Sequence, residues 1–539
     1  MSNSIGMKGY MKGALLLTIS AIIVKIMSAI YRVPFQNLVG DAGFYIYQQV
    51  YPFISFFVAW TSGGFAVAIS KMLADAELCP DASLKKGLIS RTVFLYLAGL
   101  SLVFFSVLFF GAELLAEWMG DEQLSPLLRT GSFVTLFMPF LAIMKGSFQS
   151  RGEMSPVAKA QVFEQFIRVT IILAGAFFVM ATSRSLYSAG HMAVLGTVIG
   201  EVAGVLLLVY FSGKSFSTVP FKNIGKHHSE KKWPIIKEVT LLSISISMSS
   251  LLLLCFQLID SFTVYSLMVE NGIESQLAKE MKGIYDRGQS LVQLGIVIAS
   301  SLSIAIVPLV AVQSKKKTGR GAKPFIQLTY RTALLFGVAS SLGLVIVMPY
   351  VNKMLFETNA LQMVLTIYVL QIIPLSIILT FTAILQGMGK LKVPFLILTG
   401  AILFKGIGNM TLVPLWNVLG SAVSSGVVLL FASILFIGYL KKLTSVQFAP
   451  LRFYIKLAGA GIAMALAVLL LNECLQMKSG MFSSGRMEAV VFGSVLIVTG
   501  AFVFLTFVAK SRMLSEKEWF LIPFGRRMAA YQLWLNKRK

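Results

Sequence analysis

Apolar residues along this 539-residue chain gather in long runs, without the short alternation of half-buried strands. About fourteen runs of roughly 20 residues or more stand out, long enough to cross a bilayer as helices. They cover approximately 13–36, 43–71, 88–111, 126–148, 157–181, 187–212, 238–267, 286–312, 326–350, 360–387, 393–414, 417–440, 453–472 and 487–509. In hydrocarbon a backbone must satisfy its own polar groups, so runs of this length predict an all-α polytopic membrane protein. Pro34, Pro52, Pro139, Pro308 and Pro374 lie in or near these runs, where neighbouring helices tolerate a kink.

Composition agrees with that pattern: 56% of residues are hydrophobic and 13% charged, too apolar for a water-facing surface. The net charge of +24 would suit nucleic acid, but its placement says otherwise. About 35 of the 47 Lys and Arg residues fall on the N-terminus, the connections after even-numbered runs and the C-terminus, as the positive-inside rule expects of cytoplasmic segments. The connections Lys214–Lys237 and Lys315–Arg331 carry six each. The first long opposite connection is acidic, with Glu113, Glu117, Asp121 and Glu122. Both termini are therefore expected in the cytoplasm. The first run lacks a small-residue cleavage site and reads as a retained helix. Cys79, Cys255 and Cys474 have neither metal nor disulfide spacing, and no metal or cofactor is expected. After Lys510, Trp519, Phe520, Leu521, Ile522, Phe524, Trp534 and Leu535 interleave with basic residues, as in a helix lying in the inner interface.

With the loop charges explained by topology, the remaining cations draw the interest. Lys25 and Arg32 stand seven residues apart, roughly 10 Å along one helix face. A cation in hydrocarbon usually faces a cavity or a partner. Lys25 is too central to snorkel, whereas Arg32, near a helix end, can reach the interface. Asp41, between Gly40 and Gly43, reads as a turn former or as an outer-gate partner of Arg32 or Arg287. Tyr45, Tyr47, Tyr51 and Phe53 read first as an interfacial aromatic belt.

A weak repeat adds two more cations. Gln149-Ser-Arg-Gly152 precedes Pro156, and Gln386-Gly-Met-Gly389 precedes Pro394; nineteen residues after each glutamine come Arg168 and Lys405. Six runs then repeat in the same orientation, followed by an extra pair. The expected organisation is an N-terminal lobe at 1–213, a basic linker at 214–237, a C-terminal lobe at 238–440, two further helices at 441–510 and an amphipathic tail at 511–539. Substrate would lie between two six-helix lobes related by a parallel pseudo-repeat.

Across essentially its whole length, the chain resembles the polysaccharide-transport and lipid II flippase branch of the multidrug/oligosaccharidyl-lipid/polysaccharide exporter superfamily, including its stage V sporulation protein B-like members. The resemblance rests on the cationic first run ending in Gly40-Asp41, the Gln149-x-x-Gly152 turn and Glu164-Gln165-x-x-Arg168. Ile259-Asp260-Ser261, Asp286-Arg287 and the tail Leu521-Ile522-Pro523-Phe524-Gly525-Arg526 complete it. It implies two six-helix lobes around a cationic cavity, a lipid-tail groove on the last two helices, and Lys25, Arg32 and Arg287 facing a pyrophosphate. Lysine at position 25 departs from the commoner arginine and offers a point charge in place of a planar fork.

Lys405 lies near Asn409 with no acid at helical spacing, which leaves it open to substrate. Glu164 and Arg168, four apart, read as an ion pair, and Glu201 is expected to be structurally paired. Asp260 shares a face with Gln257, either in helix–helix hydrogen bonding or as a coupling-ion site; Asp286 is a further gate or ion-pair residue. The leading expectation is a flippase for an undecaprenyl-type lipid-linked glycan in the bacterial cytoplasmic membrane. Its partners would be that lipid, the surrounding membrane lipids and cell-wall synthesis proteins, with no nucleic acid. A cation-coupled multidrug exporter is the nearest alternative, disfavoured by the cationic first run. A membrane glycosyltransferase or ligase would need an outer loop with catalytic acids or histidine, and 268–285 is short and holds no histidine.

Overall fold

The computed structural model describes residues 2–213, 232–297, 323–477, 485–520 and 525–537. Most of the basic 214–237 connection, much of the run at 286–312 and residues 521–524 of the tail lie outside them. Helices dominate the described residues. Twelve stretches are long and apolar enough to cross a membrane. Against the fourteen expected, the difference has two sources. The first stretch, Leu16–Ala76, is 61 residues long and takes in both of the first two runs, and the eighth run falls largely on residues not described.

That first stretch holds helices that meet at a kink. Helix α1 (Ser2–Ile30) passes into α2 (Arg32–Ala59) through Tyr31, whose φ of −64° and ψ of −24° are helical. The one departure is Gly40, at φ +71° and ψ −176°, a conformation that a side chain would resist. The Gly-Asp turn seen in the sequence is this kink. A π-helical turn, Trp60–Phe65, leads into α3 (Ala66–Ala76).

The chain forms two compact units. Unit 1 contains 1–286 and 398–417. After α3 it runs through α4 (Ala82–Phe110), α5 (Ala112–Trp118), α6 (Ser125–Leu136), α7 (Met138–Ser150), α8 (Met154–Ala181) and α9 (Leu186–Ser212). Then come α10 (Lys232–Glu270) and the first part of α11 (Ser275–Gly295). One apolar core gathers Phe65, Ile69, Met72, Ile89, Val93 and Ile143 among its fully or nearly buried residues. Glycines on α9 let α8 come close. A Cβ at Gly200 would stand 3.0 Å from the Glu164 carbonyl and 3.1 Å from Arg168 Cβ, and one at Gly204 3.1 Å from Glu164 Oε2. This contact fixes how α8 is rolled about its axis.

Unit 2 contains 287–397 and 418–539. Its helices include α12 (Lys323–Phe356), α13 (Gln362–Val369), α14 (Ile372–Gly387), α16 (Val418–Thr444), α17 (Leu451–Gln476) and α18 (Gly485–Lys510), while α15 (Lys392–Trp416) lies mostly in unit 1. Helices α17 and α18 pack together through Gly500, whose Cβ would meet Val468 and Met464 at 3.1 and 3.5 Å. The tail is docked, not loose. Trp519 is buried and donates to Gln532 Oε1 at 2.7 Å from the helix Gly525–Lys537.

The two Gln-x-x-Gly turns share one backbone solution. Gly152 and Gly389 have φ of +76° and +73°, and each donates to the glutamine carbonyl at 3.0 Å. The next residues, Glu153 and Lys390, donate five residues back, to Phe148 and Leu385. This is the double-bonded C-terminal cap that glycine permits. Pro156 and Pro394 are each the third residue of the helix that follows, so the one-residue difference in offset is taken up in the turn.

Candidate functional site

The kink at Gly40 decides what surrounds Arg32. Beyond it, α2 presents Tyr47 and Tyr51 to the α1–α2 junction. Arg32 is 1% exposed, with its guanidinium 4.7 Å above the Tyr51 ring, and the Tyr31 and Tyr47 hydroxyls are 2.9 Å apart beside it. A guanidinium over an aromatic face gains a cation–π attraction that strengthens as water is removed. Lys25, one face along α1, is exposed. Burial thus reverses the order suggested by sequence position: the central lysine is open and the helix-end arginine is enclosed. The aromatic belt is corrected as well. Tyr45 and Tyr47 are fully buried and Phe53 nearly so, because they face other helices of unit 1. Tyr45 stacks near Tyr265 at 5.0 Å and Phe53 against Phe262 at 5.5 Å. Asp41, half-buried just past the kink, accepts from Gln36 Nε2 at 2.5 Å.

Around Arg168 the ion pair expected from the sequence is one part of a larger cluster. Arg168 Nη2 donates to Glu164 Oε1 at 3.2 Å and to Glu201 Oε1 at 2.8 Å, and Nη1 donates to Gln165 Oε1 at 3.3 Å. Lys145, 1% exposed, adds a second cation: its Nζ is 3.5 Å from Glu164 Oε2 and donates to Ser62 at 2.9 Å in the π-helical turn. Two acids thus meet two bases. Sequence reading missed Lys145, although it lies four residues before Gln149 inside an apolar run, a position that could have flagged it.

The second cluster corrects the picture of Lys405. No acid stands at helical spacing on its own helix, yet Asp260 arrives from α10: Lys405 Nζ is 2.8 Å from Asp260 Oδ1 and from Asn409 Oδ1. Asp260 also accepts from Asn409 Nδ2 at 2.7 Å and Tyr285 Oη at 2.8 Å. Lys405 is fully buried. Nearby on α11, Lys282 donates to both oxygens of Asp286 at 2.6 and 2.8 Å, an i,i+4 pair that sequence reading also overlooked. In unit 2, Arg287 is 2% exposed, donates to Asn352 Oδ1 at 3.1 Å and lies 4.7 Å over the Phe356 ring.

A third cluster was not anticipated. Asp121, 5% exposed, accepts from the Tyr187 hydroxyl at 2.7 and 2.9 Å and from Tyr45 at 3.3 Å. Lys279 Nζ is 3.3 Å from it and donates to Tyr187 at 2.7 Å. The acidic character of 113–122 was visible, but the tyrosines and lysine that converge on Asp121 come from far along the chain. No group of three or more His, Cys, Asp or Glu that could hold a metal occurs among the described residues.

Comparison with solved structures gives the fold of this chain of apolar helices, with its cations enclosed among tyrosines and carboxylates. The solved structure "Lipid II flippase MurJ, inward closed conformation" matches with a TM-score of 0.66 at 15% identity, over 92% of this chain and 99% of that one. The chain therefore shares the fold of that structure, and its spans make it a multi-pass membrane protein. Its family follows from sequence. The family model described as "Polysaccharide biosynthesis protein" matches residues 10–314, and this chain belongs to that family. The "Uncharacterized membrane protein YabM" of Bacillus subtilis (strain 168) is 33% identical over 98% of both chains. "Lipid II flippase MurJ" of the same organism is 22% identical over 77% of this chain and 79% of its own.

Proposed function

We propose that this transporter moves an anionic, undecaprenyl-type lipid-linked glycan from the inner to the outer leaflet of the bacterial cytoplasmic membrane by alternating access, with both termini in the cytoplasm. Such transport supplies material for cell-wall or polysaccharide synthesis, and the similarity to a lipid II flippase supports it. One observation carries it. Unit 1 encloses Arg32, Lys145, Arg168, Lys282 and Lys405 among membrane helices, each 2% exposed or less except Arg168, which is 11% exposed. Buried cations are expensive in hydrocarbon and are kept where an anion or a paired acid needs them.

In this reading the pyrophosphate anchors are Lys25, exposed on α1 outside that enclosed set, and Arg32, which lies over the Tyr51 ring. Arg287 serves as a further phosphate contact. Lys405, bound to Asp260, acts as an ion-pair residue in place of the direct substrate contact expected from sequence. Asp41, Asp286 and the Glu164–Arg168 pair belong with the gating and structural charges, and α17 with α18 receives the lipid. Fourteen spans in two six-helix lobes plus two helices is the topology this reading adopts.

Reconstitution tests it. Proteoliposomes supplied with fluorescent undecaprenyl-pyrophosphoryl disaccharide should expose the label to an outer-leaflet quencher faster than empty vesicles. Lys25→Ala should abolish the gain with unchanged protein levels, and Lys25→Arg should retain much of it. Wild-type rates equal to those of empty vesicles would sink the proposal.

A further inference from the structure

The Arg168 cluster holds something its ion pairs do not use. Arg168 spends Nη2 on two carboxylates and Nη1 on Gln165 Oε1, which leaves Nε buried with no acceptor among the described residues. Gln165, 2% exposed, is in the same position: its Oε1 is taken by Arg168, and its Nε2 has no acceptor. Two N–H donors, three residues apart on α8 and therefore on one face, are shielded from water and unmet. Buried donors are nearly always satisfied, and those that are not point to a ligand or an ordered water.

We infer that Gln165 and Arg168 form a subsite for neutral oxygens of the transported head group: hydroxyl or acetamido carbonyl oxygens of its sugar. The inference rests on the transport reading above and narrows it. Charge argues for sugar over phosphate. Glu164 and Glu201 already balance Arg168 and Lys145, so the cluster offers hydrogen bonds without surplus positive charge. A dianion would meet two carboxylates there. The glycines of α9 bring the donors' helix close: a Cβ on Gly196 would stand 3.2 Å from the Arg168 carbonyl, and one on Gly200 3.1 Å from Arg168 Cβ. Phosphate recognition by Lys25 and Arg32 and sugar recognition by Gln165 and Arg168 are then separate functions of one unit.

The test separates them. Purified protein is titrated with undecaprenyl pyrophosphate and with the same lipid carrying an N-acetylated disaccharide. Gln165→Met, which removes the donor at similar volume, should weaken the glycosylated lipid by about tenfold and leave the sugar-free lipid within about twofold. Gln165→Glu, which keeps the acceptor for Arg168, should behave likewise, and Arg168→Lys gives the same comparison should position 165 fail to fold. Equal losses for both lipids would overturn the subsite. So would no loss for either, which would mean the donors are met by buried water alone. A soluble probe keeps the two proposals apart: N,N′-diacetylchitobiose should raise the melting temperature of the wild type and not of Gln165→Met. A wild type that binds neither lipid counts against the transport reading, whereas a wild type indifferent to the disaccharide counts against the subsite.

Discussion

Arg168 and Lys405 invite comparison, for each stands nineteen residues after a Gln-x-x-Gly turn in unit 1, Lys405 buried and Arg168 11% exposed. Their surroundings differ in kind. Arg168 uses a planar fork to serve two glutamates and a glutamine, and Lys145 stands by as a second cation on Glu164. Lys405 is a point charge bonded to one carboxylate and one amide, and Asp260 accepts in addition from Asn409 and Tyr285. The first cluster doubles its cations and retains free hydrogen-bonding capacity on Arg168 Nε and Gln165 Nε2; the second ties lysine, carboxylate, amide and phenol together. Spare donors suit a place where a ligand exchanges hydrogen bonds, and a tightly bonded pair suits a fixed joint between helices.

The sharpest way to break this contrast is to remove one partner from each cluster. Lys405→Met removes from buried Asp260 the cation bonded to it and should destabilise the protein by about 3–5 kcal/mol, with most of that recovered in Lys405→Met/Asp260→Leu. Thermal unfolding in detergent measures both. Arg168→Met should lose about half as much, because Lys145 still neutralises one of the glutamates. Equal losses at the two sites would mean that Lys145 does not serve as a reserve cation. The smallest effects belong to the turns. Gly152→Ala and Gly389→Ala should each lose about 1–2 kcal/mol, since both sit at positive φ with open space around the missing Cβ. A large difference between them would show that the two caps are equivalent in shape only.

Much of this was legible along the chain. Apolar runs marked the helices because hydrocarbon leaves a spanning backbone few options, and Gln-x-x-Gly marked two helix ends because only glycine relaxes at their φ. The Glu164–Arg168 pair followed from helical spacing. What stayed hidden depended on helices meeting from far apart. Asn409 and Asp260 are 149 residues apart, and no periodicity foretells that α10 would deliver a carboxylate to Lys405. Tyr45 and Tyr47 looked like interface residues because tyrosine is common at membrane surfaces; a single glycine kink turned them inward. Lys145 was missed although it stands inside the apolar run 126–148.

The spare residue in the second turn has a consequence for phase. Counted from the glutamine, Arg168 and Lys405 are equivalent. Counted from the start of the helix, Arg168 is fourteen positions beyond Met154 and Lys405 thirteen beyond Lys392. One residue of α-helix is about 100° of rotation and 1.5 Å of rise. A single codon placed in a turn therefore acts as a dial, keeping cap and proline intact while pointing the downstream side chain at a different neighbour. On α8 that neighbour is Glu201 of α9, and on α15 it is Asp260 of α10.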